Sequence, residues 1–267
     1  MDRDAFDAAM TEQRERARSK AKTLNLADDA QYRDLIERRG TTEFVGRDVS
    51  RYSIETEVLA SLVGQDGVGE LFLDATPFYA ESGGQVADTG TVVTETGSFK
   101  VLDVQNVAGG LFAHRGLLTG ELLPGQVAVA TIDPERREAT RRNHTATHLL
   151  HAGLRTVLGD HVRQQGSFVG PDRLRFDFSH GAGVTPEETA MVLTLVNTDV
   201  VANEEVNTIQ TTKKEAETMG AVAFFGDKYG DRVRVVRAGA HSLESVSYTH
   251  LDVYKRQLLA RHDARER

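Results

Sequence analysis

"RRNHTATHLLHAGLRTVLGDHVRQQGS", residues 141–167, decides how the chain is organised. Up to Gly159 it reads as the second half of a helix that begins near residue 135. A rotation of ~100° per residue gathers Ala146, Leu149, Leu150, Gly153, Leu154 and Val157 into one apolar stripe. His144, His148 and His151 fall on roughly the opposite side, so they are not simply core residues of this helix. The face they mark is either solvated or lines a cleft.

Upstream of that helix, residues 43–132 carry short runs rich in β-branched and aromatic residues: "SIETEVLASLV", "GELFLD", "TVV", "FKVLDVQ", "LFAHRGLL" and "VAVATID". Glycine-containing turns separate them, among them "GQDGVG", "ESGGQ" and "LPGQ". That pattern predicts a small antiparallel β-barrel or sandwich. Downstream the chain is α+β. "LRFDFSH" is a strand with Leu174, Phe176 and Phe178 on one face, because side chains alternate along a strand. "TPEETAMVLTLVNTDVVANEEV" is a helix with Thr185 as N-cap, Pro186 in its first turn and Glu188 placed for a capping box. "VNTIQTT", a short helix "KKEAETMG" and two strands, "AVAFF" and "RVRVV", follow. At the other end, residues 1 to about 24 predict a helix with a thin stripe of Phe6, Met10, Ala17 and Ala21, and "LNLADDAQYRDLIERRG" continues helically to a stop at Gly40.

With 27% charged residues in 267 and a mean hydropathy of −0.38, the composition is that of a soluble globular chain. No apolar run approaches the roughly 18 residues of a membrane span, and the charged N-terminus lacks the apolar core of a signal peptide. A cytoplasmic location is expected. The absence of cysteine excludes a disulfide framework. The net charge of −8 has the wrong sign for a nucleic-acid binder. The charge is uneven, however: "RREATRR", residues 136–142, has four arginines against one glutamate. These arginines, Arg141 and Arg142 among them, form either a solvated helix face or a contact with an RNA backbone.

At i and i+4, His144 and His148 project in parallel with β-carbons about 6 Å apart, and both rings can reach one tetrahedral zinc at ~2 Å. A zinc protease would need Glu directly after the first histidine as general base. Thr145 stands there, which excludes that chemistry.

Several segments in series resemble the editing domain of the alanyl-tRNA synthetase family. They are "LDATPFYAESGGQVADTG" (73–90), "NHTATHLLHAGLRTVLGDHVRQQGS" (143–167), "LRFDFSH" (174–180) and "FFGDKYGDRVRVV" (224–236). "FDAAMTEQRERAR" resembles the helical end of the tRNA-recognition region that precedes this domain in the family. The resemblance implies four parts: that helical end over 1–42, a β-barrel over 43–133, an α+β editing core over 134–245 and a remainder, 246–267, that matches nothing in the family. It also implies a fold shared with the editing domain of threonyl-tRNA synthetase.

The activity implied is hydrolysis of the ester that joins serine or glycine to alanine tRNA. An alanine pocket cannot exclude glycine by size and rejects an added hydroxyl by only roughly a hundredfold, so a second site must remove the errors. The implied partner is tRNA(Ala) mischarged with serine or glycine, with no DNA and no membrane. The implied cofactor is zinc. ATP belongs to an aminoacylation site that lies N-terminal to this region in the family, and no nucleotide-binding motif occurs in the 267 residues. By the same resemblance His144 and His148 bind the metal, Thr147 and Gln164 face the amino-acid pocket, and Gly83, Gly84 and Gln85 form a loop that approaches RNA or the catalytic core.

In the family a Cys and a His from a later Cys-Gly-Gly-Thr-His motif complete the zinc site. Here the chain reads "VSYTHLDVYKRQ" over 246–257: His250 aligns with the last ligand, Val246 stands at the cysteine position and the glycines are gone. The expectation is a foreign tail from residue 246 and an impaired zinc site, with His241 and Asp252 as poor substitutes. A tRNA-binding module that keeps the fold without the chemistry is the alternative. An unrelated zinc hydrolase of similar fold is a third reading.

Overall fold

Alternation of side chains closes the first half of the chain into a barrel. In β8 (Val127–Ile132), Ala128, Ala130 and Ile132 turn inward while Val127 and Val129 face solvent. In the computed structural model, which describes residues 27, 29–47, 51–64, 66–219, 222–223, 232–238 and 242–246, this strand is one of six in a closed antiparallel barrel. The others are β2 (Ser53–Val63), β3 (Val68–Leu73), β5 (Gly90–Val93), β6 (Gly97–Val107) and β7 (Leu111–Gly120), in the order β2-β3-β7-β6-β5-β8. Two short strands, β1 (Glu43–Phe44) and β4 (Ala75–Thr76), pair in parallel beside it.

Register shifts between Val58 and Ala60 and between Val101 and Asp103 supply the bends that closure needs. Beside the second bend Gly116 faces Val101, and any Cβ there would collide with the Lys100 carbonyl. Val58, Leu71, Leu73, Phe78, Val92 and Phe99 fill the interior. His114 is fully buried with them: it donates from Nδ1 to Leu71 O (2.9 Å) and its Nε2 meets Thr76 Oγ1 (2.7 Å). Burial pushes its pKa down to about 4, against a smaller upward pull from the Leu71 carbonyl.

Helix α1 (Asp29–Arg39), ended by Gly40 in a left-handed conformation (φ 87°), covers part of the barrel's outer surface. Tyr32, with Leu35 and Ile36, packs on Leu59, Phe72, Leu111 and Ala113, which explains why β3 is buried on both faces. Each large side chain so covered contributes about 1.5–3 kcal/mol. The seam has a polar centre. Glu70, fully buried, accepts from Tyr32 Oη (2.8 Å) and Arg115 Nε (3.0 Å). Burial first, then the Glu70 carboxylate, pushes the Tyr32 phenol up to about 12. The helix expected before residue 24 lies outside the described residues.

Helix α2 (Pro134–Leu158) follows β8 after a single residue, Asp133, whose side chain accepts from Arg136 N (3.0 Å) as the N-cap. Its first turn is fastened to the barrel by Arg137, which is 2% exposed. The guanidinium donates from Nε to both Asp88 carboxylate oxygens (2.9 Å each), from Nη1 to Gly46 O (3.1 Å) and from Nη2 to Pro77 O (2.7 Å).

The α+β part wraps this helix. A hairpin of β9 (Gln164–Val169) and β10 (Leu174–Phe178) lies on one side with α3 (Pro186–Ala202). A mixed sheet lies on another side, in the order β11 (Asn207–Thr212), β13 (Arg232–Ala238), β14 (Ser242–Val246) and β12 (Val222–Ala223). Helix α4 (Lys213–Thr218) follows β11. Leu149 packs with Val206, Val236 and Ala238 of the sheet side, and Leu154 with Val162 and Val192. The expected capping box is formed: Glu188 N donates to Thr185 Oγ1 (3.1 Å), and Thr185 N donates to Glu188 (2.8 Å). β14 runs to Val246, opposite Arg234 of β13, so this first residue of the segment read as foreign still belongs to the sheet.

Candidate functional site

Three segments, one of them from the distant barrel, meet at the histidine helix. The first is the barrel loop 82–85. Ser82 and Gln85 close a tight turn, with Gln85 N donating to Ser82 O (2.9 Å) and Ser82 N to Gln85 O (3.2 Å). Gly83 and Gly84 sit between them at φ 59° and 86°, a region that side chains disfavour. The second is β9, to which the loop is stitched: Val169 N donates to Gly84 O (2.8 Å) and Val86 N to Val169 O (3.0 Å). The approach is so close that a Cβ on Gly84 would lie 2.5 Å from Ser167 O. Both glycines are needed, one requirement conformational and the other steric.

The third segment is α2 itself. His144 and His148 stack with ring centroids 5.2 Å apart and planes 11° from parallel, and both are almost fully buried. The histidine face is therefore an interior one, not solvated. His151, also buried, lies against Phe176 of β10 at 5.2 Å. Gln85, 2% exposed, reaches across from the barrel so that its Oε1 is 2.5 Å from His144 Nδ1. Thr147 is buried between the two ring-bearing turns and donates to Asn143 O (2.8 Å), an intrahelical bond that leaves its oxygen able to accept another. Asn143 ties the same turn to the hairpin by donating to Gly170 O (2.7 Å) and Pro171 O (3.2 Å). Gln164, half-buried at the start of β9, donates to Ser167 Oγ (3.1 Å), which in turn lies 3.4 Å from Gly83 O.

The sequence-derived residues thus divide. Gln85, His144 and His148 come together directly, Thr147 lies on the same helix turn, and Gln164 joins Gly83 through Ser167. Arg141 goes elsewhere: it is 6% exposed and pairs with Glu138, whose carboxylate also accepts from Tyr52 Oη (2.6 Å). Arg142 is exposed. His250, His241 and Asp252 lie outside the described residues. Sequence reasoning missed Ser167, Asn143 and the Arg137–Asp88 lock. No signal in the sequence marked the last: Asp88 sits in a loop that also carries Glu81 and Gln85, and Arg137 in a run left open between a solvated face and an RNA contact.

Two parallel imidazoles suit zinc as half of a tetrahedral donor set. Among the described residues no three His, Cys, Asp or Glu side chains converge to hold an ion, and the chain has no cysteine. The described residues supply two donors, and further ones would have to come from elsewhere. Among the described residues, too, no helix is long and apolar enough to cross a membrane.

The model of the class II tRNA synthetases (A) matches residues 1–136, half of the chain, and the chain belongs to that family. Its relatives include alanine–tRNA ligases. That of Pelotomaculum thermopropionicum is 46% identical over 261 residues, covering 94% of this chain and 30% of the relative. That of Cereibacter sphaeroides is 45% identical over 249 residues (90% and 28%), and that of Wolbachia pipientis wMel 42% over 262 residues (94% and 30%). The chain thus spans less than a third of the length of the curated relatives it matches. The family match ends at Arg136, in the first turn of α2, whereas coverage of 90% or more of the chain takes in the whole histidine helix.

Proposed function

We propose that this chain carries the editing site of an alanine–tRNA ligase and hydrolyses the ester of serine or glycine on tRNA(Ala). The observation that carries the reading is the meeting of two signature segments: Gln85 of the Ser82–Gln85 turn reaches His144 of the stacked His144–His148 pair, and the same turn is tied through Ser167 to Gln164 of β9.

The chemistry follows from what these groups can do. Hydrolysis places water on the ester carbonyl and returns a proton to the ribose oxygen that leaves. Thr147, its hydrogen committed to Asn143 O, keeps an oxygen lone pair for the hydroxyl of a seryl group. Gln164 donates from Nε2 to Ser167 and keeps its carbonyl oxygen as an acceptor. A buried site that hydrogen-bonds a hydroxyl discriminates strongly against a substrate lacking it, because its polar groups are then left unpaired. That contact separates seryl from alanyl esters; the glycyl ester, which also lacks the hydroxyl, is not selected by it. Zinc held by His144 and His148 would polarise the carbonyl, lower the pKa of a bound water or position the substrate. Arg142, exposed at the start of the histidine segment, is the side chain offered to the RNA backbone.

Two further points belong to the proposal. Residues 246–267 are non-native to the domain, and with Val246 at the cysteine position zinc binds weakly in the chain as it stands. A tRNA-binding module without hydrolysis is the second reading, favoured by the absence of any cysteine. The test is deacylation of seryl-, glycyl- and alanyl-tRNA(Ala) by the chain and by a version with a Cys-Gly-Gly-Thr-His stretch ending at His250. The restored chain should hydrolyse the first two and spare the third. Thr147→Val or Gln164→Ala should blur the distinction more than it slows hydrolysis. Equal hydrolysis of seryl and alanyl esters by the restored chain, or full activity after His144→Ala, would refute the reading.

A further inference from the structure

The β-barrel reaches His144 with the side chain of Gln85, and that side chain has a defined chemical task. We infer that Gln85 is a positioning residue for His144: its amide oxygen holds the imidazole in the Nδ1–H tautomer and so makes Nε2 the lone-pair nitrogen. The amide oxygen can only accept and lies 2.5 Å from Nδ1, so the proton resides on Nδ1. A neutral imidazole with its proton on Nδ1 carries its lone pair on Nε2, the nitrogen that can donate to a metal ion or take a substrate proton.

The mounting of Gln85 is what separates this from a chance contact. Its backbone is held at both polar atoms by Ser82, and the next residue, Val86, is bonded to Val169 of β9. Before it, Gly84 lies against Ser167 with no room for a side chain. The glutamine is 2% exposed and is delivered from 59 positions upstream of the histidine. Its geometry is therefore fixed from two sides, by the barrel turn and by the hairpin strand. His148, the other ring of the pair, stacks on the ring so oriented at 11° from parallel. A barrel that sets the proton of a site histidine is more than a support for the α+β part. This inference rests on the proposed editing site for the use made of Nε2, but the tautomer itself requires no substrate and no metal.

The experiment is long-range 1H–15N NMR of the histidine rings in the full 267-residue chain at neutral pH, without metal or tRNA, with His144 assigned by its replacement with Asn. The expected result is an Nδ1–H ring for His144 in the parent. Gln85→Glu, which keeps an acceptor at that point, should retain it. Gln85→Leu, which removes the acceptor, should shift the ring to Nε2–H or to a mixture. In the same samples cobalt(II), added as probe, should bind about tenfold or more weaker to Gln85→Leu than to the parent. An Nε2–H ring in the parent, or the same Nδ1–H ring in Gln85→Leu, overturns the inference. If Gln85→Leu does not fold, Gln85→Glu decides: Nδ1–H supports the inference and Nε2–H overturns it. Failure of the restored chain to deacylate seryl-tRNA while His144 remains Nδ1–H sinks the editing reading alone.

Discussion

The barrel and the α+β part solve the problem of buried polarity in opposite ways. In the barrel the buried charged and titratable groups have structural partners close by. Glu70 has Tyr32 and Arg115, His114 has Leu71 O and Thr76, and Asp88 has Arg137 and Tyr79 N. In the α+β part His144, Thr147, His148 and His151 are buried along one helix; His144 meets Gln85 of the barrel and His151 packs on Phe176 of the hairpin. A satisfied interior rigidifies, whereas titratable groups gathered at a buried seam mark a candidate site. The difference also appears at the surface. α3 leaves Met191, Leu193 and Val201 more than half exposed, while the barrel's outer face carries a helix on the Phe72 side.

The sharpest way to break this division is to cut the lock between the two parts. Asp88→Ala leaves the Arg137 guanidinium buried without its carboxylate, and losing one partner of a buried pair costs about 3–5 kcal/mol. Urea unfolding followed by probes in each part should change from one transition to two. A single transition at the parental midpoint would mean that the lock contributes nothing. Next in size is the seam at β9. Gly84→Ala meets Ser167 O and takes a left-handed φ, and should destabilise the chain by about 2 kcal/mol. It should also loosen the contact between Gln85 and His144, which the NMR experiment above reads directly.

The barrel alone is tested by pH. The folded-state pKa of His114, about 4, lies below the unfolded value of about 6.5. The unfolded chain therefore binds a proton that the folded chain refuses. The stability tied to this group is whole above pH 6.5 and is lost as pH falls toward 4, with a slope of up to ~1.4 kcal/mol per pH unit. His114→Gln should remove that slope in unfolding measured across this range, and an unchanged slope would assign it to other groups. The smallest effect belongs to the α+β part. Thr185→Ala removes half of the capping box and should cost ~1 kcal/mol, read as a lower midpoint of the shared urea transition.

Periodicity carried much of this architecture in the sequence. Alternation in "VAVATID", the stop at Gly159, the face of Leu174, Phe176 and Phe178 and the Thr185–Glu188 cap are local properties, and local physics fixes them. It also placed the three histidines opposite the apolar stripe of α2. What it left open was their cover, because a helical wheel tells which residues share a face and not what lies against it. Gln85 comes from a barrel turn 59 residues away, and only the closed register of six strands brings it there. "RREATRR" shows the same limit. Arg137 and Arg141 are indistinguishable in sequence from solvated charges, yet both are buried, Arg137 against Asp88 and Arg141 against the partly exposed Glu138 one turn before it, and only Arg142 matches the exposed alternative.

The bridge between Gln85 and Val169 has a practical consequence for anyone dissecting the molecule. It occupies the edge of β9 that β10 does not, so the two-stranded hairpin is in effect capped by a rung from the barrel. Expressed from residue 134 onward, the α+β part would lose that rung and present bare amide and carbonyl groups along a strand, a template on which further chains can add. Solubility, before any assay of chemistry, would then decide where the chain can be cut. The truncation that looks most natural on a domain map is the one expected to precipitate.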